Sequence, residues 1–482
     1  MLFSRFLSSL ILVGAILPAQ PTLFDRYFVD RTLRIDYFRG GDATEEFVAV
    51  DAVREEPGWG GPRKKLITPF ERGHHQIRVQ DRRTGLLLFA QGYSTVFAEW
   101  QTIPEAKQRR RVFRESVSVP YPRGPVRVTF LTRDRHHVLR ETASVEIDPD
   151  HVTVRRDPPR RDVPIVKLIE HGPPETKVDL VLVAEGYPRE QMQGFENDAQ
   201  RLVNALFSRE PFKSHARDFN VTLVCAPSVG AGIDQPRKNL FRRTALEASF
   251  NTFQLSRYVL VEDFVRLRDA VQGVPFDRLV VVINSDRYGG GGIYNWLMTC
   301  TARHPWSEYV FVHEFGHAFA GLADEYYSSQ VAYEEFYPAG VEPLAPNITR
   351  LLGDAHRRKS ALKWGDLIGE AVPLPTPWPQ SSYDKLVAGQ RKQVSEARAA
   401  GRSPAELLEL ERSLDKVRRD WLDGLPHGGQ VGAFEGGGYV ARGVYRPFLD
   451  CTMFSRSHAP FCPVCQRAIV RMIEYLVGKD QG

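Results

Sequence analysis

Apolar and polar positions alternate in short runs at Thr32 to Tyr37, Phe47 to Val53, His75 to Val79, Leu86 to Phe97, Val112 to Val119, Val126 to Thr132 and Val138 to Ile147. A period of two is that of a strand with one buried face, so the pattern predicts seven strands. They follow one another without intervening helices, and Asp81-Arg82-Arg83-Thr84-Gly85 reads as a hairpin turn. An all-β antiparallel sandwich is therefore expected over residues 21–154. The pair His136-His137 is read as structural, because neighbouring strand residues face opposite sides and cannot share a ligand.

The stretch 155–164, Arg-Arg-Asp-Pro-Pro-Arg-Arg-Asp-Val-Pro, has little to bury and reads as a linker. Beyond it the pattern changes. Val178 to Ala184 is continuously apolar, as in a strand covered on both faces, and Asn220 to Ala226 and Arg278 to Ile283 are further strands. Helical spacing runs from Pro188 to Leu206, from Phe253 to Val271 and from Tyr309 to Ala320, so residues 165–482 are expected to form an α/β domain. Within it, Tyr383 to Trp421 turns to Lys, Arg, Glu, Ala and Leu at helical spacing, interrupted by Gly401 and a Ser403-Pro404 helix start. That predicts a helical hairpin over 380–425, a solvated excursion beside the catalytic core.

The third of those helices carries the chemistry. His313 and His317 are four residues apart, so their imidazoles lie on one helix face and can converge on one metal ion. Glu314 is off that ligand face but within reach of a water in the ion's open position, the arrangement of a metal-assisted hydrolase. Zinc held by three protein ligands lowers the pKa of its bound water to roughly 7. Glu314 is then the general base, and its proton can pass to the leaving amine. For the third ligand, Gly321 can end the helix in a left-handed conformation, and Asp324 follows three residues later. Asp324 is expected to bind, with Glu325 pointing elsewhere. The four glycines of Tyr288 to Asn295 fit either a close backbone approach beside a peptide substrate or a plain flexible loop, and they lack the Lys and Ser/Thr of a phosphate loop.

Composition narrows the class. Lys+Arg of 64 against Asp+Glu of 59 leaves a net charge of +5 on 482 residues, which gives no case for nucleic-acid binding. Arg5, an apolar run from Phe6 to Leu17 and Pro18-Ala19-Gln20 form the pattern of a secretory signal peptide over 1–20, with an uncleaved anchor as the other reading. No other segment has the pattern of a membrane helix, so a secreted or periplasmic protein is expected. Among the five cysteines, Cys451, Cys462 and Cys465 crowd near the C-terminus. A lone Cys-x-x-Cys has too few partners for a structural zinc site, so a disulfide from Cys451 to Cys462 or Cys465 is expected in an exported chain.

His-Glu-x-x-His followed by Leu322-x-Asp324-Glu325-Tyr326, then Tyr445-Arg446-Pro447, Cys451-Thr452-Met453 and Phe461-Cys462-Pro463-Val464-Cys465, together resemble the IgA peptidase family of zinc metallopeptidases. The resemblance covers most of the chain after the signal. It implies a metzincin-like zincin catalytic domain behind a family-specific N-terminal domain, one catalytic Zn2+, and Met453 as the methionine of a turn under the metal. The hairpin over 380–425 departs from the pattern, and nothing in these residues reads out immunoglobulin as the substrate.

The expected function is a zinc metalloendopeptidase acting on protein or peptide substrates. The transition-state oxyanion needs one donor besides zinc, and Tyr445, Tyr439 and His458 are the candidates, with Tyr445 favoured. Two other readings are a zinc hydrolase of non-peptide amides or esters, and a cell-surface binding protein whose sandwich does the recognition beside a vestigial zincin domain.

Overall fold

A computed structural model describes residues 22–158, 162–328, 336–350, 358–457 and 459–479. The expected signal peptide over 1–20 and His458 lie outside the described residues. The N-terminal region is β1 Phe28–Gly41, β2 Glu46–Pro57, β3 His75–Asp81, β4 Leu87–Tyr93, β5 Arg111–Pro122, β6 Val126–Arg133 and β7 Leu139–Ile147. These form two antiparallel sheets, ordered β2-β1-β5 and β4-β3-β6-β7. Their apolar faces meet in one core, with the Tyr37 and Phe130 rings 4.8 Å apart across the gap. The apolar run through Phe97 stops being strand at Tyr93, because the Thr95 side chain caps a short helix at Val96–Trp100. His136 and His137 lie in the β6 to β7 turn, not in a strand. Asp134 accepts the N–H groups of His136 and Val138 there, and His137 takes a φ of 63°.

The second region runs β8 Ile165–Ile169, β9 Val178–Glu185, α1 Met192–Phe207, β10 Phe219–Val224, α2 Phe264–Ala270, β11 Arg278–Ile283, β12 Gly290–Ile293, β13 Leu297–Thr301, α3 Ser307–Ala320, α4 Gln380–Ala399, α5 Pro404–Asp423, β14 Phe434–Gly437, β15 Val440–Arg446 and α6 Pro463–Leu476. Its main sheet is ordered β12-β13-β11-β9-β10-β8, parallel inside and antiparallel at both edges. The helix expected over Phe253 to Val271 shrinks to α2, because Asn251, Phe253 and Gln254 all adopt left-handed φ values.

The continuous apolar strands are explained by two different covers. Leu180, Leu182 and Ala184 of β9 and Val280 and Val282 of β11 share a core with α1, α3 and α6. Their neighbours Val181, Val183, Leu279, Val281 and Ile283 point the other way, into the core of the N-terminal sheets. The N-terminal region is thus the second cover of the main sheet.

The helical hairpin is less solvated than its charge implies. Tyr383 of α4 and Leu422 of α5 belong to the helix-side core, and the Trp306 indole N–H donates to Glu411 at 3.2 Å. Many of its charged residues face outward, while an inner face that includes Glu411 and buried Asp415 turns toward the protein. Among the described residues no helix is long and apolar enough to cross a membrane.

A polar seam joins the two regions. The buried Arg34 guanidinium meets Asp36 at 2.7 Å, Glu56 at 3.1 Å and Asp269 at 2.7 Å, and buried Arg268 of α2 meets Glu56 at 2.8 Å. Glu56 therefore serves two guanidinium groups that have left water. Glu56→Ala is expected to cost about 3–5 kcal/mol, since it strands buried charge. Chemical denaturation of the variant checks this; a loss near that of an exposed pair would contradict it.

Candidate active site

Helix α3 owes its position to close packing on both sides. A Cβ on Gly292 would meet the Glu314 carbonyl oxygen at 2.3 Å, so edge strand β12 can lie against α3 only as glycine. The glycine run is thus needed for close packing on α3, which says nothing of a substrate. The strand edge is not fully open, however, because the Gly290 N–H donates to the Arg257 carbonyl at 3.3 Å. On the other side Met453 is fully buried, and a Cβ on Gly316 would meet its sulfur at 2.9 Å. The turn Cys451 to Phe454 therefore packs directly beneath the helix between the two histidines.

Gly321 ends α3 at φ 62°, and its N–H closes onto the His317 carbonyl at 3.0 Å. The reversal sends Asp324 back along the helix. Its Oδ1 lies 3.0 Å from His313 Nε2 and 3.2 Å from His317 Nε2, and the two Nε2 atoms are 3.2 Å apart. The far side of each ring is fixed: His313 Nδ1 donates to the Thr452 carbonyl at 2.9 Å and His317 Nδ1 to the Leu322 carbonyl at 2.6 Å. With the proton on Nδ1, both Nε2 lone pairs face a carboxylate oxygen that has no properly aimed hydrogen bond of its own. Two lone pairs and an anionic oxygen converging on one point repel each other unless a proton or a metal ion lies between them. His313, His317 and Asp324 thus fit a divalent metal ion with N/O ligands.

The surroundings tune these groups. Tyr439 donates from its hydroxyl to the second oxygen of Asp324, and the Tyr309 hydroxyl, one turn before His313, donates to the same Thr452 carbonyl at 3.1 Å. Burial pushes the Glu314 carboxyl up, and the Asp324 charge adds to this against the pull of the histidines. Despite burial, Asp324 and its hydrogen bond hold His317 up to about 9, while the His317 charge holds Asp324 well below the usual carboxylate range. Arg257, partly desolvated, is kept charged by Tyr326, Tyr288, Asp324 and Glu314.

All of this opens into a cleft of about 1990 Å³. Its walls come from the loop before β3 at Arg72 and His74, from β12, and from the helical hairpin at Gln390 and Arg418. The hairpin is therefore a wall of the cleft. Tyr439 lines it and Tyr445 does not. Tyr445 pairs through its backbone with Thr349, and its ring lies near Glu435 and Arg442. Glu325 turns away from the histidines, as its placement after Asp324 requires, and meets the three C-terminal cysteines, which are free thiols. Sequence reasoning missed Arg257 and Tyr309. Tyr309 had a signal, four residues before His313 on the same face; Arg257, in a loop, had none.

A candidate metal centre open to a cleft is what this donor set defines, and comparison with known families supplies the class, a peptidase. Residues 166–473 match the model of IgA Peptidase M64, and residues 23–144 match that of the Peptidase M64 N-terminus. The chain belongs to the IgA Peptidase M64 family, a family of metallopeptidases. Among curated proteins, none matches it.

Because His317 in the metal-free protein holds a proton up to about pH 9, loading the ion at neutral pH has to expel it. Metal binding at pH 7 is expected to release about one proton per ion from this site, and affinity should fall as the pH drops. Calorimetry in buffers of different ionisation enthalpy measures the release; uptake or no exchange would contradict the assignment.

Proposed function

We propose that the chain is an exported zinc-dependent endopeptidase with a metzincin-like catalytic domain, in which His313, His317 and Asp324 hold the ion and Glu314 is the general base. The convergence of the two Nε2 lone pairs and Asp324 Oδ1 on one point beside Glu314 carries this reading. Two imidazoles and one carboxylate, with a side left open to the cleft, suit zinc. When bound, the ion would supply Lewis acidity and a water acidified toward neutral pH.

The chain's own residues do the rest. Glu314, half-buried at the cleft wall, accepts a proton from the attacking water and returns it to the departing amine. Its raised pKa suits both halves of that exchange, since a weaker acid holds the proton long enough to deliver it. Tyr439 fixes the orientation of Asp324, and the carbonyls of Thr452 and Leu322 fix the tautomers of the histidines. Arg257 lines the cleft and interacts with Glu314 and Asp324, and is the candidate oxyanion-stabilising donor in preference to Tyr445, which does not line it. Met453 is the turn methionine under the site. The substrate is a protein or peptide lying between β12 and the helical hairpin. Residues 1–20 direct the chain out of the cytoplasm, to the periplasm or the medium.

Glu314→Gln keeps the ligands and removes the base. It is expected to lower peptide hydrolysis about a hundred- to ten-thousand-fold with the metal content unchanged. Fluorogenic peptide turnover and elemental analysis on the same preparation check both halves. Retained turnover in Glu314→Gln would refute the assigned base.

A further inference from the structure

A second cluster of metal-ligating side chains lies in the protein interior, apart from the cleft. Glu325, Cys451, Cys462 and Cys465 are all buried, and one donor atom from each lies within 4.8 Å of every other. Cys451 Sγ and Cys465 Sγ are 3.9 Å apart, and Cys465 Sγ is 3.2 Å from Glu325 Oε1. Zinc at about 2.3 Å from each sulfur in a tetrahedron sets sulfurs about 3.8 Å apart. The cysteines are at the spacing of co-ligands.

We propose that Glu325, Cys451, Cys462 and Cys465 form a second, structural metal site that takes one zinc ion with three thiolates and a carboxylate. The donors make a complete tetrahedral set with no open position, which separates this site in kind from the first. Glu325 supplies an independent sign of a missing partner. It is fully buried, its Oε1 accepts from Asn347 Nδ2 at 2.9 Å, and its Oε2 has no hydrogen-bond partner. A buried carboxylate oxygen with no donor needs a cation or a proton there.

The local backbone is arranged for anionic sulfur. Cys462 caps α6 with Pro463 at its first position, which places Cys462 and Cys465 at the positive end of a 14-residue helix. The Cys462 N–H donates to Cys451 Sγ at 3.3 Å. The set carries more negative charge than one divalent ion cancels. The fully buried Arg446, held by the carbonyls of Gly436 and Leu449, is near enough to interact with Glu325 and offsets part of that excess. Loading exchanges protons only: the ion displaces the thiol protons to solvent, and no sulfur changes oxidation state. A disulfide between any two of these cysteines would leave one buried thiol and the Glu325 Oε2 oxygen without partners.

The position gives the ion its purpose. Glu325 follows Asp324 and its N–H donates to the Met453 carbonyl at 2.9 Å, while Cys451 precedes Thr452, whose carbonyl holds His313. One ion would tie the bend after α3, the turn beneath it and the start of α6 into a single rigid floor for the first site.

The test uses the full chain with His313→Ala and His317→Ala together, so that the first site is gone and any loss of peptidase activity says nothing about the second. This variant is expected to retain about one zinc per chain and, after exchange into cobalt, to show thiolate-to-cobalt charge-transfer absorption in the near ultraviolet. Adding Cys462→Ser should abolish that absorption. If that triple variant does not fold, Glu325→Gln in its place should weaken cobalt binding at least tenfold while the thiolate absorption persists. A double variant without metal, cobalt binding without the charge-transfer absorption, or an intact mass short by a hydrogen pair, the mark of a disulfide, would each overturn the proposal.

Discussion

Everything in the cleft depends on where two imidazole rings point. A histidine on a helix has a free χ2, so the spacing of His313 and His317 alone does not aim their nitrogens. The aim comes from outside the helix, from the Thr452 carbonyl on one ring and the Leu322 carbonyl on the other. Those hydrogen bonds aim both Nε2 atoms at Asp324, a convergence that a proton relieves in the metal-free protein and that suits a metal ion in its place. The precision of the site is therefore set by the helix end at Gly321 and by a C-terminal turn more than a hundred residues away in the chain.

Keeping that turn in register requires a rigid body on both sides of the main sheet. The helices α1, α3 and α6 cover one face and the N-terminal sheets cover the other, so the strands that carry the helix are dry throughout. The cleft draws on both covers and on the helical hairpin. An N-terminal region that shares a core with the catalytic sheet shapes the cleft as well as supporting it.

Much of this was legible in the sequence, and the reasons are local. The seven N-terminal strands follow from period-two patterning, and the doubly buried strands β9 and β11 from continuous apolar runs. The approach of Asp324 to the histidines was readable because a glycine that can adopt φ 62° sits at the helix end. What depended on distant contacts was not readable. Tyr439 rather than Tyr445 faces Asp324 because β14 and β15 slip register between Glu435 and Gly437 and Tyr439 takes a φ of 66°, which no spacing rule reveals. The expected disulfide is not formed, and the grouping of the three cysteines with Glu325 was not readable because Glu325 is more than a hundred residues from the others. The inner face of the hairpin was hidden for a similar reason: the contact of Glu411 with Trp306 does not show in the hairpin's own sequence.

The most direct test of the central claim is an anomalous difference map from crystals of the full chain, collected on both sides of the zinc absorption edge. The account predicts a peak within ligand distance, about 2.0–2.2 Å, of His313 Nε2, His317 Nε2 and one oxygen of Asp324. A map with no peak there, or with the ion bound while Asp324 is turned away from both imidazoles, would contradict it.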